Sequence, residues 1–127
     1  YASEGIIEIL NKIKPPYNVN QLTQYQALKR ILDETLVQEE VKKILIERDI
    51  LIKELELLSF VEHIYDSDAN FVLAKVDDAD KRYNELLALK VVVRNRSTQP
   101  LCENTLRFAV GTPNENRKLI AILKEIE

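Results

Sequence analysis

Arg94 and Arg107 stand in the stretch VVVRNRSTQPLCENTLRFAVGTPNEN, each in an apolar run of strand character, with a polar loop between them. A guanidinium is a planar fork that donates two parallel hydrogen bonds to a carboxylate or a phosphate. Leu106, Phe108 and Val110 alternate with Arg107 and Ala109. A strand of that pattern points its apolar set to the core and Arg107 out of the other face, beside a small residue that leaves room. Arg94 follows Val91–Val93, and Arg96 shares its side only if the strand continues. Two readings stay open for Arg107: a solvated strand arginine paired with a nearby Glu, or one arm of an anion site. Arg94 reads equally as a basic strand end exposed to water.

Little else could do chemistry. His63 is the only histidine and reads as structural, with no partner motif around it. Cys102 is the only cysteine, so no internal disulfide or thiolate cluster can form, and no histidine stands near it in sequence to activate it. Glu39-Glu40 and Asp77-Asp78 read as charges at helix starts, where the dipole favours them. Gly5 and Gly111 are the only glycines, too few for a phosphate-cradling loop. The net charge of −3, with Lys and Arg interspersed among Asp and Glu, argues against nucleic-acid binding. No apolar run approaches the ~20 residues of a membrane span. The first ten residues carry Glu4 and Glu8 and do not resemble a signal peptide. The chain contains no Met, from which we expect it to be a piece of a longer polypeptide.

The elements that must position the arginines follow from periodicity. Ser3 is placed to cap a short helix with Ile6, Ile7, Leu10 and Ile13 on one face, ended by Pro15 and Pro16. No Gly or Pro interrupts Gln21 to Leu58. Thr35 and Gln38 have the spacing of a capping box, which predicts two helices, about 20–33 and 36–58. Strands are predicted from Phe60 to about Asp66 and over Asn70–Val76, with DSDAN as the turn. A helix capped by Asp77 should run to about Leu89, with Tyr83, Leu86 and Leu87 inward. Val91–Val93 reads as a short buried strand and Leu106–Val110 as the next. Thr112, Pro113 and Glu115 combine an N-cap, a first-turn proline and a capping-box acid, and the helix they start should bury Leu119, Ile120, Leu123 and Ile126. The fold class expected is α/β (α+β): helices, then a layered β-β-α-β-β-α unit with helices on one face of a small sheet.

KPPYNVN at 14–20, DANFVLAKV at 68–76, VVVRNRS at 91–97 and LRFAVGTPNEN at 106–116 occur in one order. Together they resemble the carboxy-terminal part of the histidinol-phosphate aminotransferases, which are fold-type I pyridoxal-phosphate enzymes. The resemblance covers essentially the whole chain. It implies a remnant of the large cofactor domain over 1–20, long interdomain helices over 21–58 and a small α+β domain over 59–127. It also implies that Arg107 and Arg94 bind the acidic end of the substrate, the carboxylate of glutamate in one half-reaction and the phosphate of histidinol phosphate in the other. Lys14, Tyr17 and Asn18 would lie on a loop at the dimer interface, near the partner's site. Asn70 would support the small-domain backbone. The parent would be a cytoplasmic homodimer with pyridoxal phosphate, acting on histidinol phosphate and glutamate/2-oxoglutarate, with no nucleic acid and no membrane as partners. The family's Schiff-base lysine follows a serine, and no lysine here follows Ser or Thr. The resemblance therefore implies no cofactor in, and no catalysis by, this stretch alone. A related aminotransferase with another amino-acid substrate, or a stand-alone anion-binding module, are the alternatives that the residues leave open.

Overall fold

A computed structural model describes residues 2–14 and 19–127. The chain divides into two units, residues 1–37 and 38–127.

The first unit holds helix α1 (Glu4–Ile13), helix α2 (Gln21–Leu32) and the start of helix α3 (Glu34–Leu55). Ser3 is the N-cap of α1 through its backbone carbonyl, which accepts from the N–H groups of Ile6 and Ile7, while its side chain makes no cap bond. Lys14, which precedes a proline, is extended (φ −65, ψ 134) and ends the helix. Asn20 caps α2 by accepting from the Thr23 N–H at 2.8 Å. Neither α1 nor α2 has a buried residue, although the predicted apolar stripes are present. The predicted capping box at Thr35 does not form. Asp33 Oδ1 accepts from the Leu36 N–H at 3.2 Å, so the helix starts at Glu34, two residues earlier than predicted, and Thr35 lies inside it. Glu39 and Glu40 likewise fall within α3 and not at its start.

The second unit carries the core. Strands β1 (Val61–Tyr65), β2 (Phe71–Val76), β3 (Arg94–Asn95) and β4 (Thr105–Ala109) form one antiparallel sheet in the order β1-β2-β4-β3. Helix α4 (Ala79–Ala88) joins β2 to the β3 segment, and helix α5 (Pro113–Glu125) ends the unit. Val72, Ala74 and Val76 alternate with half-buried Phe71, Leu73 and Lys75, and Leu106 and Phe108 flank Arg107 in the same way. The buried set packs with Leu51 and Leu55 of α3, Ala79 and Leu86 of α4 and Leu123 of α5 in one hydrophobic cluster. Helices thus cover one face of the sheet and leave the arginine face open. Each fully buried side chain of this size contributes about 1.5–3 kcal/mol.

Three local expectations are corrected. Asp78, not Asp77, caps α4, accepting from the Lys81 N–H at 2.9 Å. Leu87 is exposed, while Leu86 is buried and Tyr83 half-buried. Val91–Val93 joins no ladder: only Val93 is buried, and Val92 is exposed. The cause is the end of α4. Lys90 takes a left-handed φ of 62, and the N–H groups of Lys90 and Val91 turn back onto the Leu87 and Leu86 carbonyls. That closure redirects the chain, so pairing begins only at Arg94. The box at Thr112 forms as predicted, with the Glu115 carboxylate accepting from the Thr112 N–H at 2.8 Å. This bonding holds the Glu115 carboxyl below its usual range.

Candidate functional site: an arginine pair on the open face of the sheet

Arg94 of β3 is the register partner of Arg107 of β4. Side chains of directly opposed residues in an antiparallel pair emerge on the same face, about 4.5–5.5 Å apart at Cβ. Two like charges so placed repel, and such a pair destabilises a sheet unless something neutralises it. Among the described residues neither arginine makes an ion pair, so the paired-surface-arginine reading of Arg107 is not met. Both line an open hollow of about 1010 Å³ with Asp80, Tyr83, Asn84, Asn95 and Arg96 among its other walls.

The two arginines are not equivalent. Arg107 is half-buried, and its guanidinium carbon sits 4.9 Å from the Phe71 ring centroid. Phe71 is the register partner of Ala109, on the same face as Arg107, so the ring forms a wall along the arginine. Arg107 Nε is shut off from solvent with no hydrogen-bond partner, a condition that costs about 1–3 kcal/mol. Arg94 is exposed at the edge strand. The arrangement gives a half-buried inner fork and an exposed outer one, suited to a small anion.

The neighbouring segment is held by side chains. Asn95 donates from Nδ2 to Asp80 Oδ1 at 2.5 Å and accepts at Oδ1 from the Ser97 N–H at 2.9 Å. Asp80 is therefore tied to the loop and makes no ion pair among the described residues. The end of β4 is fixed from the other direction. Asn116, buried in α5, accepts from the Gly111 N–H at 2.9 Å and donates to Glu47 Oε2 at 2.8 Å. A Cβ on Gly111 would lie 2.9 Å from the Glu115 Cβ, so any larger residue there would force the start of α5 to shift.

Of the other predicted site residues, Lys14 is exposed after α1, and Tyr17 and Asn18 lie outside the described residues. Asn70 supports the sheet through its carbonyl, which accepts from the Val110 N–H at 2.9 Å. His63 makes an edge-on contact with Tyr65, 4.7 Å between ring centroids. Cys102 accepts at its carbonyl from Thr105 Oγ1 at 2.8 Å and lies in the turn before β4. No group of His, Cys, Asp and Glu among the described residues could hold a metal. None of the described helices is long and apolar enough to cross a membrane.

The sequence does not single out Arg82, yet the fold buries and bonds it closely. It is 6% exposed and grips Asp77 with two bonds of 2.9 and 2.7 Å. It also donates to Glu85 Oε2 at 3.1 Å and to the Ile126 carbonyl at 2.6 Å, with its guanidinium 4.4 Å from the Phe60 ring centroid. Hydrogen bonding to Arg82 holds the Asp77 carboxyl below its usual value, and Asp77 in turn raises that of Arg82.

The sequence profile of aminotransferase class I and II matches residues 1–123. The histidinol-phosphate aminotransferase of Flavobacterium johnsoniae is 55% identical over 124 residues, which are 98% of this chain and 36% of that protein. That of Flavobacterium psychrophilum is 56% identical over 126 residues, 99% of this chain and 36% of its own length. The crystal structure of the histidinol-phosphate aminotransferase from Clostridium acetobutylicum superposes with a TM-score of 0.78 at 26% identity, over 97% of this chain and 38% of that one. The resemblance read from the motif words is thereby borne out, and this chain spans little more than a third of the relatives it matches. The chain belongs to the class I and II aminotransferases.

Proposed function

We propose that this chain is the carboxy-terminal part of a pyridoxal-phosphate aminotransferase that moves an amino group between histidinol phosphate and 2-oxoglutarate in histidine biosynthesis. Its role there is to hold the acidic end of each substrate. The observation that carries the reading is the cross-strand register of Arg94 and Arg107, two guanidinium groups on one open face with no carboxylate partner among the described residues. The names of the relatives at 55% and 56% identity support the choice of substrates.

The pyridoxal group, when bound in the parent enzyme, supplies the electron sink for amino transfer. No lysine lines the hollow beside the arginines, so these residues do not fit that group and no chemical step is derived from them. What they fit is the anion. A bidentate fork donates either to the two oxygens of a carboxylate or to two of the three terminal oxygens of a phosphate. One site can thus serve both half-reactions, and it fixes the substrate's reacting end at a set distance from its acidic end. Lys14, Tyr17 and Asn18 belong in this reading to a loop near the second subunit of a cytoplasmic homodimer.

Arg107→Lys in the full-length protein tests the assignment. A point charge cannot reproduce the fork, and kcat/KM for both histidinol phosphate and glutamate should fall roughly a hundredfold or more. Wild-type kinetics for this variant would refute the role.

A further inference from the structure

We propose that Arg96 is a third cation of the same site and sets its preference for a doubly charged phosphate monoester over a singly charged carboxylate. The inference rests on the reading of Arg94 and Arg107 as the anion-binding pair and adds to it a residue that discriminates between the two substrates.

The β3–β4 pairing extends one residue past the strand. The Arg96 N–H donates to the Thr105 carbonyl at 2.9 Å, continuing the register in which Arg94 faces Arg107 and Asn95 faces Leu106. Side chains two apart on a strand share a face. Arg96 accordingly lines the same hollow as Arg94 and Arg107. It is half-buried and has no ion-pair partner among the described residues. The loop that carries it is held by Asn95, which binds both Asp80 and the Ser97 N–H. Its backbone is therefore placed before any ligand arrives.

Charge then decides what the hollow prefers. Three guanidinium groups face it against the single carboxylate of Asp80, which is already engaged by the Asn95 amide. Two positive charges are in excess. A carboxylate neutralises one of them and offers two oxygens, which the forks of Arg107 and Arg94 already occupy. A phosphate monoester carries close to two negative charges at pH 7 and has three terminal oxygens. Its remaining oxygen and its second charge are what Arg96 can meet. Arg107 and Arg94 serve both substrates, and Arg96 serves the phosphate.

The test is steady-state kinetics of both half-reactions in the full-length holoenzyme. Arg96→Gln should lower kcat/KM for histidinol phosphate about tenfold and change that for glutamate by less than about threefold, the loss expected for one charge-assisted hydrogen bond at a half-exposed position. Arg96→Lys, which keeps the charge, should recover most of the loss. Competitive inhibition by inorganic phosphate should weaken in Arg96→Gln while that by acetate stays unchanged. The ladder bond of Arg96 is made by its backbone, so both variants keep the strand pairing. Equal losses for both substrates, or none for histidinol phosphate, would overturn the role of Arg96. Arg107→Lys separates this failure from that of the underlying site. If it disables both half-reactions while Arg96→Gln leaves their ratio unchanged, only Arg96 is wrongly assigned. If it leaves both intact, the arginine-pair reading itself falls.

Discussion

Arg82 and Arg107 lie in the same 90-residue unit and have opposite surroundings. Arg82 is enclosed, with Asp77, Glu85, the Ile126 carbonyl and the Phe60 ring around it. Arg107 has an aromatic wall, an unmet Nε and a second arginine as its direct neighbour across the ladder. A fold that can satisfy a buried guanidinium so fully does not leave another one uncommitted for want of carboxylates, since the chain carries 21 acidic residues. The difference separates an arginine committed to the fold from one whose guanidinium has no hydrogen-bond or ion-pair partner among the described residues. Stability and activity should therefore respond oppositely at the two positions.

The largest expected effect is on activity at Arg107. The hundredfold loss for Arg107→Lys should come with little loss of stability, because Arg107 has no hydrogen-bond or ion-pair partner among the described residues and lysine keeps a cation beside the Phe71 ring. A fall in both activity and thermal midpoint would erase the contrast and make Arg107 structural as well.

Arg82→Ala should act the other way. It removes four hydrogen bonds around one buried guanidinium and detaches α4 from the end of α5. Their carboxylate partners are partly exposed and can be rehydrated, so the cost is about 2–3 kcal/mol. Urea unfolding measures it, and kcat/KM per folded molecule should stay close to wild type.

These two arginines also mark how far residues alone can be read. The Thr112 box and the strand alternation around Arg107 rest on spacing within one element, and spacing is visible in a sequence. The direct opposition of Arg94 and Arg107 is a register between segments joined by a loop, which no local pattern specifies. The enclosure of Arg82 is not legible in the sequence: Glu85 is at ordinary helix spacing, but Asp77, five residues earlier, lies outside the helix, and the Ile126 carbonyl lies at the far end of the chain. A buried helix arginine looks like any solvated one until the tertiary fold closes over it. The predicted box at Thr35 shows the converse. Its spacing was right, but Asp33 stood closer to the helix start and took the cap.

Acid should loosen the Arg82 corner through Asp77. Asp77 has its folded-state carboxyl depressed, chiefly by the hydrogen bonds from Arg82. A depressed carboxyl contributes stability that is fully present above the unfolded value, about 3.9, and is lost as pH falls through the lower folded value. Asp77→Asn should therefore lower stability at neutral pH and flatten its decline below about pH 4. Because Asp77 is partly exposed, solvent screening keeps the change modest. An unchanged acid slope in the variant would mean that Arg82 is held by its other acceptors alone.

The smallest effect sharpens the comparison most, because it has the opposite sign. If Arg94 and Arg107 repel across the ladder, removing the exposed member relieves the fold. Arg94→Gln removes the charge and keeps a polar, hydrogen-bonding side chain. It should raise the unfolding free energy by about 0.5 kcal/mol at low salt, within the range for like charges directly opposed on a sheet. The gain should shrink toward zero near 1 M salt, where the screening length falls to about 3 Å. The same substitution should weaken binding of both substrates, since the outer fork is lost. A residue whose removal stabilises the chain and impairs its activity is positioned for a ligand at the expense of the fold. A destabilised Arg94→Gln variant would instead mean that the pair is tolerated for reasons internal to the sheet.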